Sequence, residues 1–257
     1  MHFMYGHRSS INSENMQNIN NMEEKILGVL GGIGPLATVY FMDMLVRKTD
    51  AKIDQEHVSA LVFNHAAIPD RTDYILDNSK NNPLPIMKKD AQLLEKAGVD
   101  YIVIPCNTAH YFYDEIQKAV KLPVINIVHE TVKHIVDTVE NVKNIGIMAT
   151  SGTVEAKTYQ RECEKFNIGC IVPDENDQKM LMEIIYGQVK AGKEYDLHAF
   201  LGIIDNLKRR GADAVVLGCT ELSVIHADIK IPLPDVVDSL SVLAEESIRV
   251  CGKKVLV

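Results

Sequence analysis

AGVDYIVIPCNTAH at residues 97–110 and RGADAVVLGCTELS at 210–223 align without a gap. Gly98 falls on Gly211, Asp100 on Asp213, Val103 on Val216 and Cys106 on Cys219. Beyond them, Pro123 of LPVINI matches Pro232 of IPLPDV once the second copy is shortened by four residues. Self-similarity over roughly 110 residues indicates two like domains rather than a solenoid, whose repeats are about 20–50 residues long.

Outward from these stretches the chain alternates short β-branched runs with amphipathic ones. ILGVLG, PLATVYFMDMLVRK, SALVFN, PIMKKDAQLLEKAG and YIVIP follow one another from Ile26. The rhythm restarts at Asn144 with NIGIMA, EAKTYQRECEKFN, GCIV, KMLMEIIYGQVKAG, HAFLGIIDNLKRRG and AVVLG. Strand–helix alternation of this kind predicts mostly parallel sheets with helices on both faces. The expected fold is therefore α/β: two similar doubly wound parallel-sheet domains with a cleft between them.

Composition agrees and excludes other classes. The 257 residues are 46% hydrophobic and 24% charged, as in an ordinary globular protein. No apolar run reaches the ~20 residues of a membrane-spanning helix. With 27 basic against 35 acidic residues, the formal charge of −8 lacks the basic tract that nucleic acid or an anionic membrane surface requires. Five cysteines without a C-x-x-C do not read as a disulfide framework, and a reducing cytoplasm is the expected setting. Residues 1–24, rich in Asn, Ser and Met and without apolar period, are expected to be a disordered tail.

The repeat also places the chemistry. Ligands of open parallel sheets bind at the carboxyl ends of strands. In each half a buried strand ends at a cysteine, so Cys106 and Cys219 are expected on opposite walls of one cleft. Asn107-Thr108 and Thr220-Glu221 follow them, residue types that cap a helix start, and a helix amino terminus stabilises a nearby anion. Cys163, Cys170 and Cys251 read as small core hydrophobes.

Other motifs carry less. Gly32-Ile33-Gly34-Pro35-Leu36-Ala37 fits G-x-G-x-x-A, but the second strand ends at Phe63-Asn64-His65 with no acid for a ribose hydroxyl. It reads as a glycine turn whose backbone N–H groups reach a small ligand. Cys106 and His110 stand four apart, half a metal site with no second cluster near in sequence. A Cys–His hydrolase dyad leaves the duplicated Cys219 without a role. Two opposed thiols, one ionised and one protonated, instead supply what inversion of a chiral carbon needs.

GGIGPLAT (31–38), IPDRT (68–72), PCNTAH (105–110), ATSGT (149–153) and LGCTEL (217–222) resemble the cofactor-independent aspartate/glutamate racemase family, and most of all its aspartate racemases. The resemblance runs from about Ile26 to the C-terminus, with Ile33 standing where methionine is expected. It implies racemisation of an amino acid, aspartate first, with no cofactor and no metal. A glutamate or broad-specificity racemase, or from another class a cytoplasmic amino-acid-binding protein, is the alternative. By this resemblance Cys106 and Cys219 are the acid/base pair. Asn107, Thr108 and Thr220 hold the α-carboxylate and amine region. Thr150, Ser151 and Thr153 line the second-domain wall, and Ile33 and Gly34 the first-domain wall. Arg71 and Lys190 pair with the side-chain carboxylate. The last helix, from about Ser239, is expected to return to the first domain, which divides the chain into 25–127 plus about 237–257 and 128–236. The expected partner is a small amino-acid substrate, with a homodimer as the candidate assembly.

Overall fold

A computed structural model describes residues 24–229 and 232–256. The tail expected over residues 1–24 thus falls, except for Glu24, outside the described residues. Strands β1 (Ile26–Gly31), β2 (Ser59–Asn64), β3 (Tyr101–Val103) and β4 (Val124–Ile125) form one sheet in the order β2-β1-β3-β4. Strands β5 (Asn144–Met148), β6 (Gly169–Ile171), β7 (Ala214–Leu217) and β8 (Val236–Asp238) form the other in the order β6-β5-β7-β8. Every pairing within the sheets is parallel. The two orders coincide when the chain is offset by four strands, so the duplication read from the sequence is a duplication of topology.

Helices α1 (Pro35–Lys48), α2 (Arg71–Leu76), α3 (Leu84–Lys96), α4 (Tyr113–Gln117) and α5 (Ile127–Thr138) belong to the first half of the chain. Helices α6 (Ser151–Glu155), α7 (Thr158–Lys165), α8 (Glu175–Met182), α9 (Leu197–Arg209), α10 (Thr220–Asp228) and α11 (Ser239–Val250) follow in the second. None of the described helices is long and apolar enough to cross a membrane.

The repeated glycine and aspartate do the same work twice. Gly98 and Gly211 stand at φ 87° and 98°, just past the ends of α3 and α9, where a side chain would be strained. The turn delivers Asp100 and Asp213 to the start of the neighbouring strand. Asp100 accepts from the Ile26 N–H at 2.8 Å, and Asp213 from the N–H groups of Lys143 and Asn144 at 2.7 and 2.8 Å. These backbone donors pull both carboxyls below the usual carboxylate range.

The helix after each sheet's last strand crosses to the other half. Helix α11, after β8, packs on α1 and on α5, while α5, after β4, packs on α7. Their apolar faces meet the inner faces of both sheets in one buried cluster that includes Leu27, Phe41, Ile127, Ile135, Ile145, Tyr159, Ala214 and Leu243. Two further clusters, around Ile104 and Phe112 and around Phe200 and Leu217, fill the outer layers. With one central core spanning both sheets, the two halves are expected to unfold together. Truncating the fully buried Leu243 to alanine should cost about 2–5 kcal/mol. Urea unfolding should show one transition shifted down for both halves; two separate transitions would contradict the shared core.

Candidate active site

The carboxyl ends of the central strands converge on a tight cavity of about 10 Å³, lined by Ile33 after β1, Cys106–Thr108 after β3, Thr150 after β5 and Cys219–Glu221 after β7. Arg71, Thr72, Tyr186 and Lys190 complete the wall. The two thiols predicted from the repeat are therefore brought to one cavity, each nearly closed to solvent at 7% and 6% exposure.

Their surroundings differ. Helix α10 begins at Thr220, with Cys219 at its N-cap, whereas the segment after Cys106 winds into a 3-10 turn, Thr108–Phe112, before α4. Neither Asn107 nor Cys219 makes a side-chain cap, and Thr220 is already inside its helix. The expected capping is not made: Asn107 and Thr108 bond to residues of the second half of the chain, and Thr220 and Glu221 bond locally. Cys219 Sγ donates to Glu221 Oε2 at 3.0 Å, and Thr220 Oγ1 donates to the same oxygen at 3.3 Å. Burial, then the Glu221 carboxylate, pushes the Cys219 thiol well above its ordinary pKa, with Lys190 opposing.

Arg71 lies at the start of α2, whose N-cap Asp70 accepts from the Asp73 N–H. The guanidinium is buried, its Nη1 donates to the Pro69 carbonyl at 3.1 Å, and its Nε has no partner among the described residues. Burial works against its charge, but the neighbouring Cys106 sulfur and Asp70 carboxylate hold its pKa above the ordinary value. Lys190 follows a π-helical turn, Glu183–Val189, which continues α8 and closes with Lys190 N–H donating to the Ile185 carbonyl. That wide turn seats Lys190 Nζ 4.0 Å over the Tyr186 ring and 3.9 Å from both Asp70 and Glu221, beyond hydrogen-bond reach of either. Burial disfavours its charge, yet Glu221 and then Cys219 raise its pKa above the usual lysine value. Burial lifts the Tyr186 phenol to about 12, and its hydroxyl points at Asp70.

Three threonine hydroxyls form a buried triangle: Thr108–Thr150 at 3.0 Å, Thr108–Thr153 at 2.9 Å and Thr150–Thr153 at 3.1 Å. It joins the two halves next to the thiols. Asn107 is held from both ends, accepting from Tyr159 at 2.6 Å and donating to Ser239 at 2.9 Å. Ser151 stands apart from its predicted neighbours. Its hydroxyl accepts from Gln178 at 3.2 Å, and it lines a surface groove with Glu175 and Met182 rather than the cysteine cavity. Being the first residue of α6, it projects away from the face that carries Thr150 and Thr153.

A wider vestibule of about 310 Å³ opens outside, lined by Gly34, Leu36, Ile68, Asp70 and Val224 among others. It shares Arg71, Lys190, Thr220 and Glu221 with the inner cavity. Gly34 thus faces the vestibule, and a Cβ there would lie 3.5 Å from Glu221 Oε1. Asp70, Thr72 and Tyr186 belong to the site without a role having been read for them from the sequence, and Glu221 was read only as a helix-start residue. Glu221 alone had a signal, being an acid two residues beyond the repeated cysteine.

His110 is not a catalytic partner of Cys106. Its Nδ1 meets the Cys106 carbonyl at 2.9 Å, not the sulfur, and Nε2 accepts from the Ile127 N–H at 3.2 Å. The ring therefore serves the backbone. Among the described residues no group of three or more His, Cys, Asp or Glu is arranged to hold a metal ion.

Comparison with known proteins gives the class, an amino-acid racemase with paired α/β domains. The structure of Picrophilus torridus aspartate racemase superposes with a TM-score of 0.77 at 32% identity, covering 90% of this chain and 96% of that one. The broad specificity amino-acid racemase RacX of Bacillus subtilis (strain 168) is 27% identical over 231 residues, 87% of this chain and 96% of its own length. Glutamate racemase of Aquifex pyrophilus is 32% identical over 176 residues, 65% of this chain and 64% of that enzyme. The family model for Asp/Glu/Hydantoin racemase matches residues 30–247, and the chain belongs to that family.

Burial lowers the His110 pKa to about 4, below the 6.5 of a free imidazole, so the folded protein resists a proton that the unfolded chain accepts. Its contribution to stability is complete above about pH 6.5 and is lost as pH falls towards 4, a difference of about 3 kcal/mol. The imidazole signals of His110 in an NMR titration should stay fixed between about pH 5 and 8. Titration near the free value would mean that the ring is not buried as described.

Proposed function

We propose that the protein racemises aspartate by a two-thiol acid–base mechanism, Cys106 and Cys219 taking and giving the α-proton on opposite faces of the substrate. The observation that carries this reading is that both sulfurs line one enclosed cavity in unlike electrostatic settings. The Cys219 hydrogen is held by Glu221, while Cys106 faces the Arg71 guanidinium. In one direction, Cys106 as thiolate removes the α-proton and Cys219 as thiol delivers its own to the other face. The reverse direction exchanges these roles. The α-proton is weakly acidic, so the carbanion-like state must be stabilised by fixed hydrogen-bond donors in a site closed to water.

The remaining Asn107 amide hydrogen, and the Thr108 and Thr150 hydroxyls once turned out of the triangle they close with Thr153, supply donors for the α-carboxylate, with Thr220 on the opposite side. Arg71 Nε and the Lys190 ammonium, neither hydrogen-bonded among the described residues, suit a side-chain carboxylate. Similarity to an aspartate racemase supports the same substrate. The mechanism calls on neither pyridoxal phosphate nor metal. A broad-specificity reading has its own support. Asp70 and Glu221 match the charges of Arg71 and Lys190, so the site is not strongly cationic, and RacX is among the relatives.

Serine at either cysteine should reduce racemisation by about 10²–10⁴-fold or more, because a hydroxyl is a poor base near neutral pH. Circular dichroism should show the fold retained, the exchange being nearly isosteric. Undiminished racemisation by Cys219→Ser would remove the two-thiol mechanism. Activity should be bell-shaped in pH, with both limbs belonging to the thiol pair.

Arg71→Met or Lys190→Met should cost aspartate turnover about 3–5 kcal/mol by leaving a buried carboxylate unpaired, and alanine turnover far less. Polarimetry of the unaltered protein decides between the readings. Alanine or serine racemised as fast as aspartate would establish broad specificity instead.

A further inference from the structure

A two-thiol racemase finishes each turnover with its protons misplaced. The thiol that took the α-proton keeps it, and the other is left a thiolate. Another turnover in the same direction requires one proton to enter at the second sulfur and one to leave the first. Water reaches the vestibule, but both sulfurs lie in the inner cavity, so the reset needs a carrier that touches both spaces.

Of the four residues shared by the two cavities, Arg71 and Lys190 are cations that do not give up a proton easily, and Thr220 is a hydroxyl. Glu221 is the remaining one. Its Oε2 lies 3.0 Å from Cys219 Sγ, and Oε1 lies on the side of Gly34 and Lys190, at the floor of the vestibule. The charged and titratable groups around this carboxylate are Lys190, Asp70, Tyr186, Arg71 and the two thiols. Among the described residues no carboxylate is hydrogen-bonded to Cys106, whose charged neighbour is Arg71.

We propose that Glu221 is the proton relay that resets Cys219 from solvent, an assignment that rests on the two-thiol reading. In the reset, Glu221 takes a proton from vestibule water and passes one to the Cys219 thiolate, returning to carboxylate. Cys106, once product has left, gives the proton it took from the substrate to the hydroxide that this leaves in the solvent. The protein's proton count is unchanged over the cycle, and water is the only co-reactant. Cys219 therefore exchanges hydrogen with solvent faster than Cys106 does.

The variant Glu221→Gln keeps the shape but carries no proton. It should lower kcat at saturating aspartate by about tenfold or more while changing kcat/KM far less, since the reset lies outside the steps that kcat/KM reports. With excess unlabelled enantiomer present, labelled racemic aspartate should be driven transiently away from equal amounts, and imidazole buffer should restore the rate. A variant that loses kcat and kcat/KM equally, without buffer rescue, would overturn the relay.

The unaltered protein offers a second measurement should Glu221→Gln fail to fold. In D2O, one enantiomer of recovered aspartate should gain α-deuterium faster than it racemises, and the other should not. Equal washout from both enantiomers would overturn the relay while leaving racemisation intact. Absence of any α-exchange would instead remove the two-thiol reading itself.

Discussion

A parallel sheet has two faces to bury, and here neither half of the chain covers its inner face alone. Helix α5 leaves the first sheet to pack on α7 of the second half, and α11 leaves the second sheet to pack on α1 of the first. The central cluster, from Leu27 and Phe41 to Ile145 and Leu243, contains residues of both sheets and of both crossing helices. Burial of that apolar area is non-directional, but the exchange of helices is not. It brings the carboxyl ends of β1, β3, β5 and β7 to one cavity.

Polar contacts then fix that convergence at atomic scale. Asn107, from the first half, is held between Tyr159 and Ser239, and Ser239 in turn donates to the Leu217 carbonyl at 2.7 Å. One chain of hydrogen bonds thus ties the residue beside one cysteine to the strand that carries the other. The threonine triangle makes a second tie, and α2 against α6 a third. At this last contact Gly152 is required by space, since a Cβ would fall 2.8 Å from the Thr72 Cα.

The electrostatics of the site are arranged around groups that the protein leaves incompletely satisfied. Two cations and two carboxylates stand between cavity and vestibule, and desolvation of each is offset by its opposite neighbours. Matching is incomplete, with Lys190 short of hydrogen-bond distance to both acids and Arg71 Nε without an acceptor among the described residues. A buried donor without a partner is costly within a folded chain, and a carboxylate ligand removes that cost. Cys219 stands on the opposite side of this balance, its hydrogen committed to a carboxylate two residues along.

Sequence by itself determined the duplicated α/β plan, because strand and helix periods and the glycine–aspartate turns are local properties written into neighbouring residues. The same reasoning located both cysteines, since repeated strand ends must occupy equivalent places in repeated sheets. Only tertiary structure decided which side chains share the cavity. The π turn that aims Lys190, the crossing of α5, and the rotation that sends Ser151 to an outer groove while Thr150 and Thr153 face inward depend on packing between residues far apart in the chain. Asp70, Tyr186 and Glu221 meet around Lys190 from three separate elements. No period or spacing announces such a meeting, for its cause is the burial of both halves against each other.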